Sequence, residues 1–75
     1  MSRLPSLRPR QVVATLEKVG FVVVRVTGSH YQLFNERTRR HTTVPYHNRD
    51  LPRGTVSAII QQAGLTREDF LNLLR

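Results

Sequence analysis

The sequence contains no cysteine. Neither a disulfide nor a cysteine-ligated zinc can therefore hold the chain together, which suits a reducing compartment, so a cytoplasmic protein is expected. No segment approaches the roughly 20 apolar residues of a membrane span. Met1-Ser2-Arg3-Leu4-Pro5 lacks the apolar run of a signal peptide, so no membrane role is expected. Carboxylates are scarce, with 5 Asp and Glu against 12 Lys and Arg, and lysine occurs only as Lys18. Internal repeats and low-complexity stretches are absent too. The 75 residues read as a single domain, 1–75. A chain of this size buries only roughly 60% of its unfolded surface, so its function must sit on the surface of a compact core.

What is present is positive charge, a formal +7. Residues 64–75 are balanced, Arg67 and Arg75 against Glu68 and Asp69, so the whole excess lies in the first 63 residues. A basic body with a neutral tail points to a polyanionic partner, RNA above all. The plainer reading is a solvated basic surface.

The pattern predicts an α+β order. Residues 1–8 read as an arm, and Pro9 suits the first position of a helix running to about Val19, although Arg8 is a poor cap. Val12, Val13, Leu16 and Val19 form its apolar stripe, and Gly20 stops it. Phe21 to Val26 reads as a strand, and Gly28-Ser29 as a two-residue hairpin turn. That turn pairs Thr27 with His30, Val26 with Tyr31 and Val24 with Leu33. Alternation then places Val22, Val24, Val26, Tyr31 and Leu33 on one face. The second strand ends near Asn35, and Glu36-Arg37-Thr38-Arg39 is a charged loop. A third strand, Arg40 to Pro45, pairs Asn35 with Arg40 and adds Thr42 and Val44 to the apolar face. His30, Gln32, Phe34, His41, Thr43 and Arg25 share the opposite face. Residues 46–52 read as a polar loop. Helix two spans about Arg53 to Ala63, with Val56, Ile59, Ile60 and Ala63 inward and Gly64 as its stop. Thr66, with Asp69 three residues on, caps a short final helix. Leu65 and Phe70 form a hydrophobic staple there, and Phe70, Leu71 and Leu74 belong to the core. One face of the sheet packs on helices and the other is free.

Gly20-Phe21, Gly28-Ser29-His30, Thr43-Val44-Pro45, Leu51-Pro52-Arg53-Gly54-Thr55 and Ala63-Gly64-Leu65 with Phe70-Leu71 occur in an order and spacing that resemble the HicA toxins. The resemblance covers essentially residues 6–75. These are mRNA interferases of type II toxin–antitoxin modules. It implies a double-stranded-RNA-binding-domain-like α-β-β-β-α fold, here with a short extra C-terminal helix. It implies ribosome-independent cleavage of mRNA that uses His30, with inhibition of translation and growth. Neutralisation by a HicB antitoxin is implied as well. Two positions depart from the family pattern. Arg8 stands where many members have a capping Ser or Thr, and Tyr46 where a basic residue is common, a role Arg49 can take.

RNA brings its own nucleophile, the 2′-hydroxyl, so cleavage needs no metal and no cofactor. It needs a base, an acid for the leaving 5′-oxygen and positive charge near the phosphate. A free imidazole ionises at about 6.5 and serves either proton role near neutrality. Taken alone, His30 is equally a surface histidine after a turn; the resemblance assigns it the chemistry. His41 lies four residues along the partner strand, roughly 13 Å away. His47, just past Pro45, which stands opposite His30, is the better auxiliary group. Arg25 is placed to stabilise charge on the phosphorane, and Ser29 to donate to a phosphate or simply complete the turn. Phe34 offers a face for base stacking. Lys18, Arg37, Arg39, Arg40 and Arg49 are candidate phosphate contacts. A metal site on His30, His41 and His47 lacks ligand spacing. Two other functions compete: a non-catalytic RNA-binding module, and a degenerate toxin acting only as a protein-interaction domain.

Overall fold

The computed structural model describes residues 3–74. Its elements follow the order α1 (Pro9–Glu17), β1 (Phe21–Thr27), β2 (His30–Asn35), β3 (Arg40–Pro45), α2 (Arg53–Gln62) and α3 (Arg67–Leu74). This is the expected α+β layout. The strands form an antiparallel sheet in the order β1-β2-β3. α1 packs against β1 and β3, α2 against β3, and α3 against α1 and α2. All three helices thus gather on one side of the sheet. Val12, Leu16, Phe21, Leu33, Val44, Val56, Ile59 and Phe70 fill the space between the layers.

The helix ends follow their residues. Pro9 opens α1 without forfeiting a hydrogen bond that an interior proline would lose. The Arg8 side chain has no acceptor, so the start of α1 is held from the other direction, with the Arg8 N–H donating to Gln11 Oε1 at 2.9 Å. Thr66 and Asp69 cap α3 reciprocally: the Asp69 N–H donates to Thr66 Oγ1 at 3.0 Å, and the Thr66 N–H to Asp69 Oδ2 at 3.3 Å. Gly64, at φ 77°, ends α2, and the Arg40 guanidinium lies where a β-carbon there would project.

Three expectations need correction. Only part of the β1–β2 register holds: Thr27 pairs with His30 and Val26 with Tyr31, but Leu33 pairs with Val23, not Val24. A bulge between Val23 and Arg25 shifts the strand by one residue. Phe21 and Val23 therefore face the helices, while Val22 and Val24, each 55% exposed, lie outside the core. Val26 keeps its partner, yet it is equally exposed. The reason is parity. Phe21 and Val26 are five residues apart, and plain alternation cannot turn both toward the helices. Burial of the phenyl ring selects the register, and one extra residue absorbs the difference.

Nor are residues 3–8 a free arm. Leu4 and Leu7 are buried, and the Leu51 N–H donates to Leu7 O at 2.7 Å in an isolated bridge. The loop before α2 is therefore not wholly polar, because Leu51 anchors it in the core.

Candidate nucleic-acid interface

The face of the sheet that carries no helix displays His30, Gln32 and Phe34 from β2, with Pro45, Thr43 and His41 as their respective partners on β3. Arg25 joins them from β1, opposite Gln32. These residues include all six that alternation predicts for this face, since the bulge lies on the far side of Arg25 from the turn, but Val22, expected on the apolar face, joins them as the partner of Phe34. His30 is exposed, at the first position of β2. Arg25 is its diagonal neighbour across the β1–β2 pair, a separation of about 7–8 Å that long side chains bridge.

The turn before His30 is fixed from the opposite side. The Tyr46 N–H donates to Ser29 O at 2.5 Å, extending the β2–β3 pairing one step past Pro45. Tyr46 also stacks on Tyr31, with centroids 4.0 Å apart and planes 11° from parallel. The residue that departs from the family pattern thus fastens the 46–52 loop to the histidine turn. Gly28, at φ 56°, occupies the left-handed region that glycine favours in such a turn.

His47 follows directly, exposed, with Nδ1 accepting from the Arg49 N–H at 3.1 Å. That bond places the proton of the neutral ring on Nε2, so the free nitrogen is a donor. His41 stands opposite Phe34, four residues from His30 along the sheet. Among the described residues, no group of three or more His, Cys, Asp or Glu is arranged to hold a metal ion.

Phe34 is half-buried, and the Arg39 guanidinium sits 5.3 Å from its ring centroid. Arg39 also pairs with Glu36 at 2.8 Å and takes a left-handed backbone, φ 64°. A base reaching this ring must share it with Arg39 or displace it. The other basic candidates divide. Lys18 donates to Leu73 O in α3, Arg40 to Gln62 O at the end of α2, and Arg37 to Val19 O just past α1. These three cations satisfy carbonyls at helix ends, where positive charge is favourable. Arg49 is exposed in the loop beside His47. Ser29 is exposed at the turn.

Arg8 and Arg10, neither of them among the candidate phosphate contacts expected from the sequence, line with Tyr46, His47 and Asn48 a cavity of about 310 Å³. Arg8 donates to Asn48 O at 2.7 Å and lies 3.4 Å from Asp50 Oδ1. Nothing in the local pattern marks these arginines, because only the fold of the 46–52 loop brings them to the histidine turn. No helix among the described residues is long and apolar enough to cross a membrane.

A sheet with one face packed on helices and one open face bearing an exposed histidine and arginines defines a small surface-acting α+β domain. Its family follows from comparison with known proteins. The family model described as the HicA toxin of bacterial toxin–antitoxin matches residues 9–65. The chain belongs to the HicA toxin family. No curated protein matches it at a significant level.

Proposed function

We propose that this chain is a metal-independent endoribonuclease, the mRNA-cleaving toxin of its module, with His30 as the proton-transferring group. The carrying observation is the position of His30, exposed at the start of β2 on the open sheet face with Arg25 diagonal to it. An RNA strand lying on this face brings a 2′-hydroxyl to His30, which removes its proton. The 2′-oxygen attacks phosphorus, the bond to the 5′-oxygen breaks, and that oxygen takes a proton from solvent, which has free access here. The products are a 2′,3′-cyclic phosphate and a 5′-hydroxyl. Arg25 offsets the charge that grows on the phosphorane oxygens. Acid–base catalysis of this kind supplies roughly 10²–10⁴-fold, enough for a slow enzyme acting on a limited pool of messages in the cytoplasm.

The antitoxin is proposed to be a HicB-like protein that covers this same face and excludes RNA. A net charge of +7 favours an acidic partner and fast, salt-sensitive association. The double-stranded-RNA-binding-domain-like arrangement supports RNA as the substrate, with Arg49 beside His47 and Phe34 and Arg39 at the far end of β2 as further contacts. Lys18, Arg37 and Arg40 are then peripheral phosphate contacts.

Induction of wild type and His30→Ala in cells, with RNA integrity followed alongside growth, tests the reading. The variant is expected to lose toxicity and cleavage by at least a hundredfold while RNA affinity changes less than threefold. Equal toxicity of the two proteins, or fragments ending in a 3′-hydroxyl, would reject the mechanism. Binding without cleavage in the wild type would favour a non-catalytic RNA-binding module. Absence of both would favour a degenerate toxin that only engages its antitoxin.

A further inference from the structure

We propose that the cleft between the start of α1 and the 46–48 loop is a phosphate subsite, holding the RNA backbone one step beyond the phosphate being cleaved. The inference rests on the reading of the chain as an RNA-cleaving toxin. Its location carries the first part. β2 runs from His30 toward Phe34, whereas the 46–48 loop continues past Pro45, the partner of His30, in the opposite direction. The cleft therefore lies beyond the His30 end of the sheet. It is joined to the histidine turn by the bond from the Tyr46 N–H to Ser29 O.

The donors carry the second part. Arg10, at the second position of α1, is exposed, and its guanidinium makes no hydrogen bond or ion pair with another described residue. Its guanidinium fork is thus available to a tetrahedral oxyanion, the geometry it matches best. His47 adds its Nε2–H, because Nδ1 is already occupied by the Arg49 amide. The remaining wall is tied by contacts of its own. Arg8 is committed to Asn48 O and to Asp50, and that ion pair offsets the one carboxylate of the loop, which would otherwise repel an anion. Tyr46 is held by its stack on Tyr31. The cavity, about 310 Å³ against roughly 30 Å³ for a water molecule, admits a phosphate with its sugar. Two donors beside a paired acid give the cleft the charge and the hydrogen-bonding groups that an oxyanion needs.

The test uses the full chain carrying His30→Ala, so that the RNA stays intact. Affinity for a single-stranded oligoribonucleotide is measured across a salt series in that background, in the same background with Arg10→Ala, and with Arg53→Ala. Arg53 is also exposed and removes the same charge from the start of α2. Arg10→Ala is expected to raise Kd about tenfold and to flatten the log–log salt dependence by about 0.7, one phosphate of a single strand. Arg10→Lys should recover the slope but not the full affinity, and Arg53→Ala should leave both near the parent. Identical behaviour of Arg10→Ala and Arg53→Ala would overturn the subsite. So would weakened antitoxin binding with RNA affinity unchanged, which would make the cleft a protein contact. A His30→Ala parent that binds no RNA at any salt would instead remove the RNA reading on which the subsite rests.

Discussion

Asn35 ends β2 with its side chain fully buried, and three hydrogen bonds occupy it. Nδ2 donates to Val19 O at 2.9 Å, while Oδ1 accepts from the Arg37 and Thr38 N–H groups at 3.0 and 3.2 Å. One amide therefore closes the α1–β1 turn and shapes the β2–β3 loop together. The adjoining Gly20, at φ 104°, lies against it, where a β-carbon would come within 3.3 Å of Nδ2. Asn35→Ala leaves the Arg37 and Thr38 amides without a partner and Val19 O with only the longer bond from Arg37. At about 1–3 kcal/mol for each buried group left unsatisfied, and with water reaching part of the loop, a loss of about 2–3 kcal/mol is expected in urea unfolding. A loss below about 0.5 kcal/mol would show that solvent replaces the amide. Asn35 is legible in the sequence as the end of its strand, but its bonding role is not. An asparagine at a strand end looks like an ordinary turn residue, and only its burial reveals the network.

β1 shows where periodicity stops being informative. Val22, Val23 and Val24 are identical in chemistry, so an apolar pattern cannot tell which of them faces the helices. The turn at Gly28-Ser29 sets the register from one end and Phe21 sets it from the other. The two demands differ by one residue, which the bulge between Val23 and Arg25 takes up. The β2–β3 register was legible because Thr42 and Val44 alternate cleanly and no large residue contradicts them. Arg25 lies on the legible side of the bulge and keeps its expected place on the open face, whereas Val22, expected on the apolar face, pairs with Phe34 and joins the open one. Deleting any one of the three valines yields the same sequence, Phe-Val-Val-Arg-Val-Thr. This segment keeps Phe21 inward and Arg25 opposite Gln32 in plain alternation. The deletion variant is expected to fold with a melting temperature within about 5 °C of wild type. Deleting Gln32, which no repeat can replace, should prevent cooperative unfolding altogether. If the valine deletion also unfolds the chain, the bulge is needed for the twist of the sheet rather than for parity.

The helices gather on one side of the sheet and leave the other face open. Leu4, Leu7 and Leu51 tie the residues before α1 and the loop before α2 into the helical layer. The sequence showed these leucines only as isolated apolar residues between prolines and charges, with no period to place them. The opposite face combines His30, Arg25 and Arg39 with Val22, the partner of the half-buried Phe34, and Val24 is exposed at the bulge beside it. A valine offers RNA neither a hydrogen bond, a charge nor a stacking face. A protein partner gains free energy by covering it, about 1 kcal/mol for a side chain half-exposed beforehand. On the proposed reading, the valines are expected to contact the antitoxin alone, and the arginines and His30 both antitoxin and RNA. This separates two properties that share one surface. Val22→Ser with Val24→Ser should weaken antitoxin binding by tenfold or more at fixed salt, since about 2 kcal/mol exceeds the 1.4 kcal/mol of a tenfold change. Cleavage of a short RNA by the same variant should change less than twofold. Antitoxin titrations and cleavage assays on one preparation decide the matter. A parallel fall in both would mean that RNA crosses the valines too, and unchanged antitoxin affinity would move the antitoxin off this strand.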